Sequence, residues 1–250
     1  MLKYNSSAIT IKNCKDINKP NEDYYLSDDK NGIYILVDGV SRDKKEGIYP
    51  NPSPAFLVSK IFVESAYKYL LNNFNENIFK LLYETIKRGN EEIKNYNDKV
   101  IWENEFLPGT VGVVAIIRNN KLYYAYIGDC YGLVLNSDKH IFSKCQTENI
   151  AKHKKEFNAF EIRNVICNNV KHPYSYGVLN GDIRAMDFVN YGEIELSESD
   201  KILLCSDGFA DIVKNYSGKE LYKMGIEQLI KSSKETDDKT MIRIERKTYD

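Results

Sequence analysis

Apolar runs that border on acidic residues recur along the chain. The clearest covers residues 33–37, which are all aliphatic or aromatic and are followed by Asp38 and Gly39. Runs of this length and composition predict buried strands, and the glycines on either side predict where this strand begins and ends. Five strand-like runs border on acids in this way, at Glu22-Asp23, Asp38-Gly39, Gly128-Asp129, Ser206-Asp207 and Asp237-Asp238.

The repetition of acidic strand ends predicts a cation site. Taken alone, an Asp-Gly after a strand is explained as well by a turn. Carboxylates that converge at the edge of an apolar core repel one another and lose hydration, so a cluster of them needs a cation to neutralise it. Oxygen ligands of this kind favour Mg²⁺, Mn²⁺ or Ca²⁺ over zinc.

The rest of the hydrophobic pattern predicts an α+β fold. Ser53-Pro54 predicts a helix start, and apolar positions near helical spacing continue that helix through Leu71. A second helix is predicted from about residue 77 to residue 96, paired with the first and covering a sheet. Because the strands between residues 110 and 135 are joined by short turns, we expect them to pair antiparallel. The later predicted elements are a short helical flap at 146–171, strands at 193–196 and before Asp207, a helix at 219–231 and a strand at 240–244.

Composition narrows the class of protein. With 250 residues and 42% hydrophobic content, the chain can form one domain over residues 1–250, with a flap subdomain around residues 146–180. The formal charge is −1, from 35 basic and 36 acidic side chains. A charge this small provides no net electrostatic attraction for nucleic acid or an anionic membrane. Five scattered cysteines without a CxxC pair predict reduced thiols. With no signal-peptide or membrane-spanning pattern, we expect a cytoplasmic monomer.

The motif acids also occur in an order that resembles a known family. The pieces are Asn21-Glu22-Asp23, Val37-Asp38-Gly39, Gly109-Thr110, Ile127-Gly128-Asp129, Ser206-Asp207-Gly208 and Asp237-Asp238-Lys239-Thr240. In this order and spacing the chain is similar to the metal-dependent protein phosphatase 2C family, in its compact bacterial form. The resemblance implies two stacked antiparallel β-sheets flanked by α-helices, a phosphatase 2C-like β-sandwich.

The resemblance implies a centre with two Mn²⁺ or Mg²⁺ ions. Asp38 would bridge them, the Gly39 carbonyl and, through water, Glu22 would serve one, and Asp207 and Asp237 would serve the other. A water activated by the two ions would hydrolyse a phosphomonoester without a covalent phosphoenzyme.

The resemblance also implies supporting residues and partners. Asp129 would hold a weaker third ion, Asp23 would hydrogen-bond water at the metals, and Asp238 would be a neighbour on the solvent side. The implied substrate is a protein phosphorylated on Ser or Thr, and a cognate Ser/Thr kinase is an implied partner in signalling.

The sequence departs from the family pattern at the phosphate-binding position. Bacterial members carry an arginine there, whereas this chain has Asn18 followed by Lys19. Lysine supplies charge without the bidentate fork of arginine. We therefore expect Lys19 to be the phosphate's charge partner, with Arg42 and Lys15 as open alternatives. The missing arginine also leaves open a catalytically weak pseudophosphatase that acts as a regulatory protein-binding module.

Overall fold

The structure is a computed structural model, and it describes residues 4–40, 48–74, 77–100 and 106–247. Within these ranges the chain forms ten strands and six α-helices. The strands are β1 Tyr4–Ile11, β2 Tyr24–Asp28, β3 Ile33–Val40, β4 Gly109–Arg118, β5 Lys121–Ile127, β6 Tyr131–Leu135, β7 Lys139–Ser143, β8 Asn190–Glu195, β9 Lys201–Cys205 and β10 Lys239–Arg246. The α-helices are α1 Pro54–Asn73, α2 Ile78–Asn97, α3 Glu148–His153, α4 Ala210–Asn215, α5 Gly218–Lys223 and α6 Ile226–Ser232.

The strands form two antiparallel five-stranded sheets. The first has the order β1-β10-β9-β6-β7 and the second has the order β2-β3-β4-β5-β8. Side chains from both sheets meet in one buried cluster that includes Leu36, Val113, Leu204 and Ile242. The predicted fold class, two stacked antiparallel sheets flanked by helices, is confirmed.

Each outer face of the sandwich is covered by helices. Helices α1 and α2 pack on the second sheet, where Phe62 and Leu82 are buried against Ile35 and Val114. The first sheet is covered by α4, α5 and α6, which bury Ile212, Leu221 and Leu229. The predicted pairing of the first two helices over a sheet is therefore correct.

Four features of the fold differ from the sequence prediction. Strand β7 and helix α4 were not predicted. The single helix expected at 219–231 is two helices, α5 and α6, because Met224 and Gly225 between them have extended backbone angles. Glycine is among the poorest helix formers, which explains the break. Strand β6 also leaves the meander after β5 and joins the other sheet.

Residues 146–180 form the segment predicted as a flap. It contains α3, a single 3₁₀ turn at Lys154–Glu156 and a π-helical turn at Glu161–Ile166. A bridge between Cys167 and Tyr176 closes the segment on itself, and a bridge between Thr110 and Leu179 ties its end to β4.

None of the helices in the described part of the chain has the length and apolar character needed to span a lipid bilayer.

The start of α1 depends on a side-chain cap. Ser53 is buried, and its Oγ accepts a hydrogen bond from the backbone N–H of Phe56 at 3.1 Å. Replacing Ser53 with alanine leaves that N–H without a partner, so Ser53→Ala should lower the free energy of unfolding by about 1 kcal/mol. Urea denaturation checks this value. If the urea midpoint and the dependence of the unfolding free energy on urea concentration were both unchanged, the cap would not stabilise α1.

Candidate metal centre

The predicted acids converge at one end of the sandwich, where both sheets contribute. Asp38 lies near the end of β3 in the second sheet, whereas Asp207 follows β9 and Asp237 precedes β10 in the first sheet. Asp38 interacts electrostatically with four other acids: Asp23, Asp207, Asp129 and Asp237. The sequence prediction that strand ends bring these acids together describes the structure well.

The backbone at Asp38 is held on both sides. Asp38 pairs with Val111 in β4, and its carbonyl oxygen accepts a hydrogen bond from Thr110 Oγ1 at 2.8 Å. The Thr110 hydroxyl in turn lies 3.0 Å from Ser59 Oγ on α1. These hydrogen bonds fix the Asp38 backbone, from which the side chain extends. The position of the carboxylate is therefore set by β3, β4 and α1 together.

The Asp38 carboxyl group is the electrostatic focus of the cluster. Part of it reaches solvent, and the carboxyl groups of Asp23 and Asp207 are among the acids that act on it most strongly. Loss of hydration, followed by the charges of the neighbouring acids, raises the pKa of Asp38 well above its ordinary value. Carboxylates that interact in this way repel one another, so the cluster needs either bound protons or a cation.

Asp23 is buried at the back of this cluster. Its Oδ2 accepts a hydrogen bond from Ser206 Oγ at 2.8 Å, and Ser206 Oγ accepts one from the backbone N–H of Thr240 at 2.9 Å. No protein N–H or O–H donor in the described ranges satisfies Asp23 Oδ1, although this atom is buried. Burial raises the pKa of Asp23 to about 7. An unsatisfied buried carboxylate oxygen fits a site that holds a cation and its water.

Two glycines allow the strand ends to approach closely. A side chain at Gly39 would lie 2.7 Å from the Glu22 carbonyl oxygen, and a side chain at Gly208 would lie 1.9 Å from the Asp238 carbonyl oxygen. These contacts bring Glu22 beside Asp38 and bring the segment after β9 beside the start of β10. Glycine at both positions is therefore required by the assembly of the cluster.

The exposure of Asp238 differs from the expectation. Asp238, expected on the solvent side, is buried, whereas the Asp237 side chain is 55% exposed. Asp238 Oδ1 accepts from the backbone N–H of Asn13 at 2.7 Å, and Oδ2 accepts from that of Glu22 at 3.0 Å. The expectation for Asp238 was therefore wrong, because this carboxylate binds the loop before β2 to β10.

Asp129 is positioned by two residues that follow β7 in the chain. Thr147 Oγ1 donates to Asp129 Oδ2 at 3.1 Å, and Gln146 Oε1 accepts from the Gly128 backbone N–H at 2.7 Å. Burial raises the pKa of Asp129, and the Thr147 hydrogen bond opposes that rise. Cys130, next along the chain, is buried, and burial raises its pKa well above the ordinary value. In the sequence, Cys130 is notable only because it directly follows Asp129.

Lys19 also lies in the cluster. Its Nζ is 3.0 Å from Asp237 Oδ1, and it lines a pocket with Lys15, Tyr49 and Thr236. Asn18, at the position where bacterial relatives have arginine, is exposed. Arg42, an open alternative for the phosphate's charge partner, lies outside the described residues.

No group of three or more His, Cys, Asp or Glu side chains in the described ranges is spaced to enclose a metal ion with its present side-chain positions. Asp38 interacts electrostatically with the neighbouring acids, and Asp237 forms an ion pair with Lys19. The donor set of carboxylates with the Gly39 carbonyl still fits a hard divalent cation in its chemistry. The backbone that carries these donors is fixed in strands or at strand ends.

The sandwich and its acidic end define a metal-dependent phosphatase. A family model, "Protein phosphatase 2C", matches residues 27–162, which is more than half of the chain. The chain belongs to the protein phosphatase 2C family. This confirms the predicted resemblance and enzyme class, and it favours a phosphohydrolase over the pseudophosphatase alternative.

Solved structures of similar fold are distant in sequence. The catalytic domain of the serine/threonine protein phosphatase PstP, in complex with two manganese ions, is 17% identical at a TM-score of 0.70, covering 99% of this chain and 100% of that one. A bacterial serine phosphatase is 20% identical at a TM-score of 0.70, with 98% of each chain covered. PppA from Pseudomonas aeruginosa is 15% identical at a TM-score of 0.67, with 98% of each covered. No curated protein matches the chain significantly.

The raised pKa values predict how stability depends on pH without a divalent cation. Asp23 and Asp207 have pKa values of about 7 in the folded protein, each raised by burial from an ordinary 3.8. Since the folded state binds more protons than the unfolded state between these values, stability should fall as pH rises from about 4 to about 7. In EDTA, the melting temperature should therefore be lower at about pH 8 than at about pH 5.5.

The matched variant for this measurement is Asp23→Asn, which removes one of the titrating groups. Its melting temperature should fall less over the same pH range. A wild-type melting temperature that rises with pH in EDTA would contradict the assigned cluster.

Proposed function

We propose that the acidic cluster binds two divalent cations and hydrolyses phosphoserine and phosphothreonine in proteins. The observation that carries the proposal is the convergence of acids from both sheets on the Asp38 carboxyl group, which interacts electrostatically with Asp23, Asp207, Asp129 and Asp237. Such a cluster is stable at neutral pH when positive charge neutralises it. Membership of the protein phosphatase 2C family supports the same activity.

Each acid has a role in this proposal. Asp38 would be shared by the two ions, the Gly39 carbonyl and, through water, Glu22 would help to hold one of them, and Asp207 and Asp237 would help to hold the other. Mn²⁺ and Mg²⁺ both suit oxygen ligands, and the two manganese ions of the PstP complex favour Mn²⁺. Asp129, held by Thr147, serves a weaker third ion.

The protein's own groups orient the attacking water and the phosphate. When bound, two divalent ions lower the pKa of a water, align it with phosphorus and neutralise the charge that develops. Asp23 Oδ1, which has no protein donor among the described residues, accepts a hydrogen bond from that water. The Ser206 hydroxyl holds the other carboxylate oxygen of Asp23 in place. Lys19 faces the pocket that it shares with Lys15, where its ammonium can contact the phosphate.

The proposed substrate class also suggests a cellular setting. The substrate would be made by a serine/threonine kinase, and the protein would act as a monomer in cytoplasmic signalling. All five cysteines are free thiols, which suits a reducing compartment. The segment at 146–180, short helices beside Asp129, serves as the flap subdomain of a single domain.

Substitution of Asp38 distinguishes between two possible roles of this residue, a metal ligand and a turn residue. Asp38→Asn keeps the shape of the side chain but removes the charge that binds the ions. Turnover of p-nitrophenyl phosphate with Mn²⁺ should fall by at least ~10²-fold. In EDTA the melting temperature should hold or rise, because repulsion among the acids is relieved. Manganese should stabilise the variant less than the wild type, since only binding to the folded state raises stability.

The controls for this experiment are metal removal and a distant acid. EDTA should abolish wild-type turnover, and added Mn²⁺ should restore it. Asp138→Asn, on the exposed turn between β6 and β7, should behave like the wild type. Equal turnover and equal manganese stabilisation in Asp38→Asn and the wild type would sink the two-metal proposal.

Lys19 is tested through substrate affinity. If its ammonium contacts the phosphate, Lys19→Ala should raise KM for small phosphomonoesters several-fold, on the scale of one charged hydrogen bond. Steady-state kinetics with saturating Mn²⁺ measures this directly. An unchanged KM would assign the phosphate's charge partner elsewhere, with Lys15→Ala as the next variant.

A further inference from the structure

The Lys19 ammonium makes ion pairs with three acids at once. Its Nζ lies 3.0 Å from Asp237 Oδ1, 3.7 Å from Glu22 Oε2 and 3.7 Å from Asp238 Oδ2. The Lys19 side chain is only 14% exposed, and the side chains of Glu22 and Asp238 are almost fully buried. An isolated ion pair on the surface contributes little, but this group is a largely buried network in which one cation faces three carboxylates.

The loop that carries Lys19 is fixed by the same network. The Lys19 backbone N–H donates to the Asp16 carbonyl at 3.0 Å. Asp238 accepts from the backbone N–H groups of Asn13 and Glu22, which lie on either side of Lys19 in the chain. The ammonium therefore reaches the acids from a loop that is anchored at both ends, which limits where it can move.

The ion pairs place one positive charge among the acids. Because the Lys19 ammonium lies within 3.7 Å of carboxylate oxygens of Glu22, Asp237 and Asp238, its charge acts on all three. Two of its three partners, Glu22 and Asp237, are acids to which the proposed function gives a role at the metals.

We infer that Lys19 is a resident cation of the acidic cluster, which neutralises Glu22 and Asp237 and competes with the divalent ions for them. The inference rests on the proposed function, because it takes these acids to serve metals. Lys19 is then a positioning residue as well as a candidate phosphate contact. It holds the acids together before metal binds, and it weakens metal binding because like charges repel at short range.

Manganese affinity tests the inference directly. Calorimetric titration of Mn²⁺ into metal-free protein would compare the wild type with Lys19→Met, which keeps the length of the side chain but removes its charge. Mn²⁺ should bind Lys19→Met at least about tenfold more tightly, since a unit charge beside the ions is gone. In EDTA the melting temperature of Lys19→Met should be lower, because buried carboxylates lose their cation.

Two further variants serve as matched controls. Lys15→Met removes one positive charge from the same pocket, but Lys15 is exposed, so the Mn²⁺ affinity should stay within about twofold of the wild type. Lys19→Arg keeps the charge and should also bind Mn²⁺ with near wild-type affinity. If Lys19→Met does not fold without metal, protein purified with Mn²⁺ is titrated with a chelator. The variant should then need at least about tenfold more free chelator than Lys19→Arg to lose its ions.

The outcomes separate this inference from the proposed function. Equal or weaker Mn²⁺ binding by Lys19→Met would overturn the inference, even if its KM for phosphoesters were raised. Tighter binding by Lys15→Met to the same degree would also overturn it, because a general charge effect would then explain the result. Absence of Mn²⁺ binding by the wild type would instead refute the two-metal proposal.

Discussion

Carboxylates repel one another at one end of the sandwich, where the two sheets bring them together. Asp38 lies in a strand of one sheet, whereas Asp207 and Asp237 flank two strands of the other, so the sheets cannot stack as they do without bringing these charges together. Loss of hydration adds to the repulsion. The fold holds the acids with fixed hydrogen bonds, such as that of Thr110 to the Asp38 carbonyl, and leaves their charge to be neutralised by a cation.

The acids divide into those that build the site and those that face it. Asp238 is buried, and its carboxylate accepts hydrogen bonds from backbone N–H groups. It therefore links the start of β10 to the loop before β2. Asp237, its neighbour, is more than half exposed and has Lys19 as its partner. Asp23 combines both properties, because Ser206 holds one of its oxygens and the other has no protein donor among the described residues. A buried oxygen left in this way is costly unless a ligand or water satisfies it.

Sequence reasoning predicted the parts of this structure that depend on local pattern. The helical spacing after Ser53 and the apolar run that ends at Asp38 correspond to α1 and β3. It could not predict that β6 changes sheets, because strand pairing is set by contacts distant in sequence. It also placed Asp238 on the solvent side, whereas Asp238 is buried, since adjacent acids in a loop carry no periodicity that fixes their faces. The place of Lys19 among the acids depends on how the loop at 13–22 folds back onto β10, which no local signal shows.

The most direct test of the account is a crystal structure of the protein soaked with Mn²⁺, with anomalous diffraction used to locate the metal. Two strong anomalous peaks that share Asp38 are expected, one beside Asp207 and Asp237 and the other beside the Gly39 carbonyl, with distances of about 2.0–2.6 Å from the nearest ligand oxygens. An anomalous map with no peak among these residues, at a Mn²⁺ concentration that supports turnover, would contradict the two-metal site.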